Sequence, residues 1–176
     1  GTSSNKIQFT SSKTIPVAGD WAGIEFQNTS SVGSVFNYCI VEYGGSGGNN
    51  ANIFFKTGAY GINLTNVIAR NSSGDGINLR YSSCQIRTSS VTQNGGYGIT
   101  AGYTNYSIDS STISNNTNGG ILVTQYSASS ITNCSVENNN IGIDIAFGAS
   151  PTVQKNNIRY NNIGILNGTI QHTAFK

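Results

Sequence analysis

NNNIGIDIAF, Asn138 to Phe147, holds the pattern on which the reading of this chain turns. An Asn is followed three or four residues later by Gly-Ile, and the arrangement returns: Asn94 leads to Gly98-Ile99, Asn116 to Gly120-Ile121, Asn139 to Gly142-Ile143 and Asn161 to Gly164-Ile165. Counted from Gly76-Ile77, the Gly-Ile pairs recur every 22 residues. A fixed period of that size marks a chain built from stacked copies of one small unit.

Each unit carries two further apolar anchors. The triplets are Ile77, Ile86, Val91; Ile99, Ile108, Ile113; Ile121, Ile131, Val136; and Ile143, Val153, Ile158, with the second and third anchors always five apart. Carried backward, the rule predicts Ile53, Ile62, Val67 and Ile24, Val35, Ile40; carried forward, it predicts Ile165 and Ala174. In this register Gly61-Ile62 belongs to a second strand and only mimics the opening of a repeat. Around the first anchor the chain alternates, with Ile77 and Leu79, Ile121 and Val123, Ile143 and Ile145 on one side and Asn78, Leu122 and Asp144 on the other. A period of two means strand. Three short strands separated by polar turns cannot bury an apolar face alone, so each coil needs neighbours, stacked at the roughly 4.8 Å strand separation with like residue on like. The expected fold is all-β, a single solenoid domain over residues 1–176, in about seven coils of about 22 residues with three strands each.

The G-I-x-L/V/I strands, the N-x-x-x-G-I connections, and the opening GDWAGIEF (Gly19 to Phe26) with VFNYCIVEYGG (Val35 to Gly45) resemble right-handed parallel β-helix repeats of the pectin-lyase-like superfamily, over about Ile7 to Ile170. Such repeats occur in large secreted or surface-attached bacterial proteins, so the resemblance implies an extracellular location. Gly1 and Phe175-Lys176 both fall inside a coil, and open ends expose pairing edges. Flanking coils or domains of a longer parent chain are therefore expected, at least on the amino side.

Two columns follow from the register. Asn94, Asn116, Asn139 and Asn161 each lie three residues after a third anchor, hence at one corner of successive coils, where amides can bond from coil to coil. The glycine ahead of each Ile is read as permitting a tight turn into the next strand. Tyr81, Tyr103, Tyr126 and Phe147 fall four or five residues after a first anchor and predict an aromatic ladder. Rings that face inward there could not touch a substrate.

Composition narrows the partners. Charged residues make up 9% of the chain, against 24 Asn, 23 Ser, 17 Thr and 22 Gly, and the net charge is +2. Without a basic stripe, nucleic acid is not an expected partner. No apolar run approaches the roughly 20 residues of a membrane span, so insertion into a membrane is not expected either. Cys39, Cys84 and Cys134 have no metal-ligand spacing and read as small buried residues. Seven N-x-S/T sequons are what chance supplies in a chain so rich in these residues. The one histidine, His172, has no nucleophile near it in sequence.

By resemblance to carbohydrate-active β-helices, chemistry would sit on the outward face of one strand column, here the first, which runs Glu25, Phe54, Asn78, Thr100, Leu122, Asp144, Leu166; two residues on it runs Gln27, Lys56, Arg80, Gly102, Thr124, Ala146, Gly168. Glycoside hydrolysis needs two carboxyls roughly 5 to 9.5 Å apart. Glu25 and Asp144 are five coils, about 24 Å, apart. Arg87 with Asp109 and Glu137 with Arg159 read as cross-strand charge pairs. One constellation remains, near the amino-terminal end: Glu25, Lys56 and Arg80 on three consecutive coils, with Asp75 and Glu42 nearby. The loop GGSGGNNAN (Gly44 to Asn52) and the turn NSSGD (Asn71 to Asp75) overhang it. By resemblance to the polysaccharide lyases of the superfamily, Lys56 and Arg80 would serve as base and charge neutraliser on a uronate, with acidic groups holding Ca²⁺. A binding reading takes Glu25, Glu42, Phe54, Asp75 and Asn78 as contacts instead. A flat ice-binding face would need one outward Thr column, but Thr100 and Thr124 lie in different columns and Thr92 is followed by Ser114 and Glu137. The sequence favours a non-catalytic module with no cofactor: an extended scaffold, an adhesion element, or a surface for polysaccharide or another surface protein. The lyase and the ice-binding solenoid are the alternatives.

Overall fold

The computed structural model describes residues 1–28, 32–127 and 129–168, together with the backbone of 174–175. Three parallel sheets wind along one axis, each stacking seven strands. The first sheet holds Ile24–Phe26, Ala51–Phe55, Asp75–Arg80, Tyr97–Gly102, Gly119–Thr124, Ile141–Ile145 and Ile163–Asn167. The second holds Val35–Asn37, Ile62–Thr65, Cys84–Arg87, Tyr106–Asp109, Ser130–Thr132, Thr152–Gln154 and Ala174–Phe175. The third holds Ile7–Phe9, Cys39–Glu42, Ile68–Arg70, Ser90–Thr92, Thr112–Ser114, Ser135–Glu137 and Asn157–Arg159. About five turns keep the 22-residue length rather than the expected seven, because the amino-terminal turns are longer. No helix long and apolar enough to cross a membrane occurs among the described residues.

The core is the set of columns the repeat implies. Ile53, Ile77, Ile99, Ile121 and Ile143 are fully buried on one another, as are Ile86, Ile108 and Ile131 on the second sheet. Backward extrapolation fails in detail. Leu64, not Ile62, pairs with Ile86, and Ala69, not Val67, pairs with Val91. One coil earlier the anchors are Phe36 and Val41 rather than Val35 and Ile40. At the far end it is Phe175, not Ala174, that registers with Val153. The five-residue spacing between second and third anchors survives throughout. What changes is the corner between the first and second sheets, which takes 11 residues from Ile53 to Leu64 against nine from Ile77 to Ile86.

The Asn corner is a continuous interior amide ladder. Asn94 donates to Asn116 Oδ1 at 2.9 Å, Asn116 to Asn139 Oδ1 at 3.0 Å and Asn139 to Asn161 Oδ1 at 3.2 Å. Each amide also reaches a backbone carbonyl one coil back, as Asn116 does to Val91 O at 3.2 Å. The glycines before each Ile serve this ladder in a different way from the one expected. Their backbone is not left-handed. Instead, a Cβ on Gly98 would lie 2.6 Å from Ile113 Cγ2 and 2.8 Å from Asn116 Nδ2, and Gly76, Gly120 and Gly142 meet equivalent groups. The glycine makes room for the amide.

One coil shows the converse. Ahead of Ile53 stands Asn52 instead of Gly; the third anchor of that coil is Ala69, and the corner residue is Ser72 instead of Asn. Asn52, fully buried, accepts from Gly44 N at 2.8 Å and donates to Asn94 Oδ1 at 3.4 Å. The amide enters the same ladder from a different position in the chain, through the space a small anchor and a small corner residue leave open.

Candidate functional site

The two outward columns of the first sheet stand as predicted: Glu25 pairs with Phe54, Phe54 with Asn78, Asn78 with Thr100, Thr100 with Leu122, Leu122 with Asp144. Lys56 and Arg80 follow on adjacent coils, since Phe55 registers with Leu79. Glu25 bonds Lys56 Nζ at 2.5 Å and accepts from Gln27 and Asn49. The bond from Lys56, then that from Asn49, holds the Glu25 carboxyl below its ordinary range. Lys56 is thus held in an ion pair within its own sheet, its nitrogen aimed at Glu25. Asn49 comes from the glycine-rich loop, which is pinned to the overhanging turn by Ser73 N donating to Gly44 O at 3.0 Å and Asp75 N to Asn50 O at 2.8 Å.

Asp75 begins its strand and is enclosed. It accepts from Tyr97 N at 2.9 Å and from Asn78 Nδ2 at 3.0 Å, and burial, outweighing these bonds, raises its pKa. Asn78 Oδ1 is buried without a partner. Tyr97 lays its ring across Gly119, whose added Cβ would come within 2.5 Å of Tyr97 Cε1, and donates to Asp144 Oδ2 at 2.8 Å. Burial and then Asp144 push the Tyr97 phenol up. This strap over the sheet was not legible in the repeat.

Glu42 does not join the group. It sits on the third sheet, nearly buried, with Arg70 at 2.6 Å, Gln8 at 2.6 Å and Thr10 at 3.1 Å. Glu42 and Arg70 are neighbours in one outward file that continues through Thr92, Ser114, Glu137 and Arg159. Glu137 and Arg159 pair at 2.6 Å as expected. Arg87 and Asp109 share a register position but form no such ion pair; Asp109 accepts from Asn133 and Thr132 at 2.8 and 2.9 Å instead. Glu25, Glu42 and Asp75 are each engaged by separate partners, and no three His, Cys, Asp or Glu gather among the described residues. The three cysteines are buried and unpaired, and His172 lies outside the described residues.

The aromatic column departs most from expectation. Tyr81 and Tyr103 stack, their centroids 4.5 Å apart, but the file points into solvent, and Tyr126 and Phe147 are 76% and 74% exposed. All four have left-handed backbone, φ 50° to 60°. Strand alternation would send Tyr81 inward after Arg80; the left-handed turn swings it out. Tyr126 also leaves the file, since Gln125 holds the register position above Tyr103 and the Tyr126 ring lies against Gly148.

Three parallel sheets closed into one continuous helix with an interior amide ladder define a parallel β-solenoid. A family model described as "Right handed beta helix region" matches residues 51–172, and the chain belongs to that family. No curated protein and no solved structure matches it.

Proposed function

We propose that this chain is a non-catalytic β-helical module of a secreted or cell-surface protein, serving as an extended scaffold and a surface that contacts polysaccharide. The observation that carries the reading is the file of aromatic rings held in solvent along one corner. Exposed rings contribute little to the fold and much to contact with a partner. The ion pair between Lys56 and Glu25 supports it from the other side, since the residue read as a base is engaged with a carboxylate.

The test is a panel of soluble glycans, read for binding by calorimetry and for turnover by the absorbance of unsaturated products. Binding without turnover is the expected result. Turnover of a uronate polymer that Lys56→Ala and Arg80→Ala both abolish would establish the polysaccharide lyase instead, the reading that the adjacency of Lys56 and Arg80 favours. The ice-binding alternative is less supported, since Thr100 stands between Asn78 and Leu122 rather than in a file of threonines.

A further inference from the structure

The left-handed corner between the first and second sheets differs from the one that follows it. Between the second and third sheets the left-handed positions are Tyr38, Asn66, Thr88, Ser110, Asn133 and Lys155, with one aromatic among six. Between the first and second they include Tyr81, Tyr103, Tyr126 and Phe147. The backbone conformation is the same, and Asn tolerates it better than Tyr or Phe. The turn therefore does not call for aromatics. Nor does packing, since these rings stay between 42% and 76% exposed. Several such rings gathered on one corner, rather than any one of them alone, point outward to a ligand.

A groove of about 560 Å³ runs along this corner, within the range of small-ligand sites. From coil to coil the lining runs Tyr60, then Ser83, then Tyr103 with Asn105, then Gln125 with Tyr126. These residues span four successive coils, roughly 14 Å at the strand spacing. A second cavity of about 360 Å³ adjoins it and shares Ser83 and Asn105. Ser82 and Thr104 are buried beneath the groove, so the polar groups it presents to a ligand are those of Ser83, Asn105 and Gln125. No charged residue lines the groove.

Resting on the glycan-contacting reading above, we infer that this corner groove binds a neutral polysaccharide, an unbranched run of pyranoses lying along the solenoid axis. The rings offer flat apolar faces to the C–H face of a sugar, and the hydroxyls and amides between them bond its hydroxyls. A uronate brings a carboxylate that would meet no cation here, and burying it unpaired is unfavourable. The groove is therefore selective for uncharged chains.

The experiment uses the chain as it stands, with hexasaccharides of glucose, mannose and xylose and with polygalacturonate as probes, followed by calorimetry. The variants are Tyr103→Asn and Tyr126→Asn, which keep a residue suited to left-handed backbone, and Tyr160→Asn, a control that is 73% exposed at a different corner. At least one neutral hexasaccharide is expected to bind, about tenfold more weakly after either corner substitution and unchanged after the control. Neutral binding that ignores Tyr103→Asn and Tyr126→Asn overturns this site while leaving the glycan-contacting reading intact. Binding confined to polygalacturonate overturns the inferred selectivity. Failure of every probe, or capture of a protein partner through these same rings, overturns both. Matching unfolding curves for the variants separate loss of binding from loss of fold.

Discussion

The exchange between Gly98, Ile113, Asn116 and their counterparts Asn52, Ala69, Ser72 can be transplanted. Asn116→Ser removes an amide whose Oδ1 accepts from Asn94 N at 3.2 Å and whose Nδ2 donates to Val91 O at 3.2 Å. Each buried group left unpaired costs about 1–3 kcal/mol, so this change alone destabilises by about 4 kcal/mol. Ile113→Ala leaves a void worth about 3 kcal/mol. Gly98→Asn forces a Cβ to 2.6 Å from Ile113 Cγ2 and 2.8 Å from Asn116 Nδ2, an overpacking penalty of about 2 kcal/mol. Acting independently, the three would remove about 9 kcal/mol, most of the roughly 5–15 kcal/mol a domain possesses. In the triple variant, however, the amide brought in at position 98 enters the space vacated at 113 and 116 and restores the ladder, as Asn52 does two coils earlier. The expected loss is then about 4 kcal/mol, a coupling of about 5 kcal/mol. Urea unfolding followed by far-ultraviolet circular dichroism measures it, with slopes compared to confirm that the same surface is exposed. A triple variant within 1 kcal/mol of the summed single effects would refute the account of the ladder.

Tyr106 is 5% exposed and its hydroxyl has no partner, so Tyr106→Phe should raise stability by about 1 kcal/mol, a rise in Tm of about 2–4 °C by calorimetry; no change, or a loss, would mean that the hydroxyl is satisfied. Burial pushes the Cys84 thiol up, and Cys134 up to about 11, so neither should react with a disulfide reagent at pH 8 until urea opens the coils. Asp75 has a folded pKa raised above 3.8, so its contribution to stability falls as pH climbs from about 3.8 through the folded value. Asp75→Asn should abolish that decline, and unfolding at pH 3 and pH 7 checks it. Glu42 runs the opposite way: burial raises its pKa, but the bonds from Arg70, Gln8 and Thr10 outweigh burial and leave it depressed below 4.5. Its stabilisation is present above pH 4.5 and lost as pH falls through the folded value, so Glu42→Gln should weaken the protein at pH 7 and leave it little changed at pH 2.

The fold was legible because apolar files are what a stacked coil needs. Ile77 to Ile143 could be placed from period alone, and the outward columns from Glu25 to Asp144 followed with them. Misplacement began where a corner changed length. Ile62 satisfies the nine-residue rule, yet it registers with Cys84, because two additional residues sit in the turn after Phe55. The polar contacts were less readable for a related reason. Asn49 reaches Glu25 from a loop with no counterpart in the repeat, and Tyr97 finds Asp144 two coils away over Gly119. Outward side chains bridge coils in ways that period does not encode. The Tyr corner was misread because alternation holds within a strand and ends at a left-handed residue.

The three corners divide the work, and their lengths show how. Between the second and third sheets the anchors are five apart in every coil, from Phe36 and Val41 to Val153 and Ile158. Between the third and first sheets the amide ladder runs inside, and from Ala69 onward the spacing stays at seven or eight residues, as from Ala69 to Ile77 and from Val136 to Ile143. One coil earlier the same corner takes twelve residues, Val41 to Ile53, and there Asn52 enters the ladder from ahead of Ile53. Between the first and second sheets the spacing varies from nine residues, Ile77 to Ile86, to twelve, Ile24 to Phe36. This corner has interior contacts of its own, with Ala59 and Ala149 in the core and Ser127 Oγ donating to Thr124 O at 2.9 Å, yet its exposed turn residues take insertions and large side chains. The exposed aromatic rings stand on a corner whose turns differ in length from coil to coil, so a binding surface there leaves the stacked Ile columns in place.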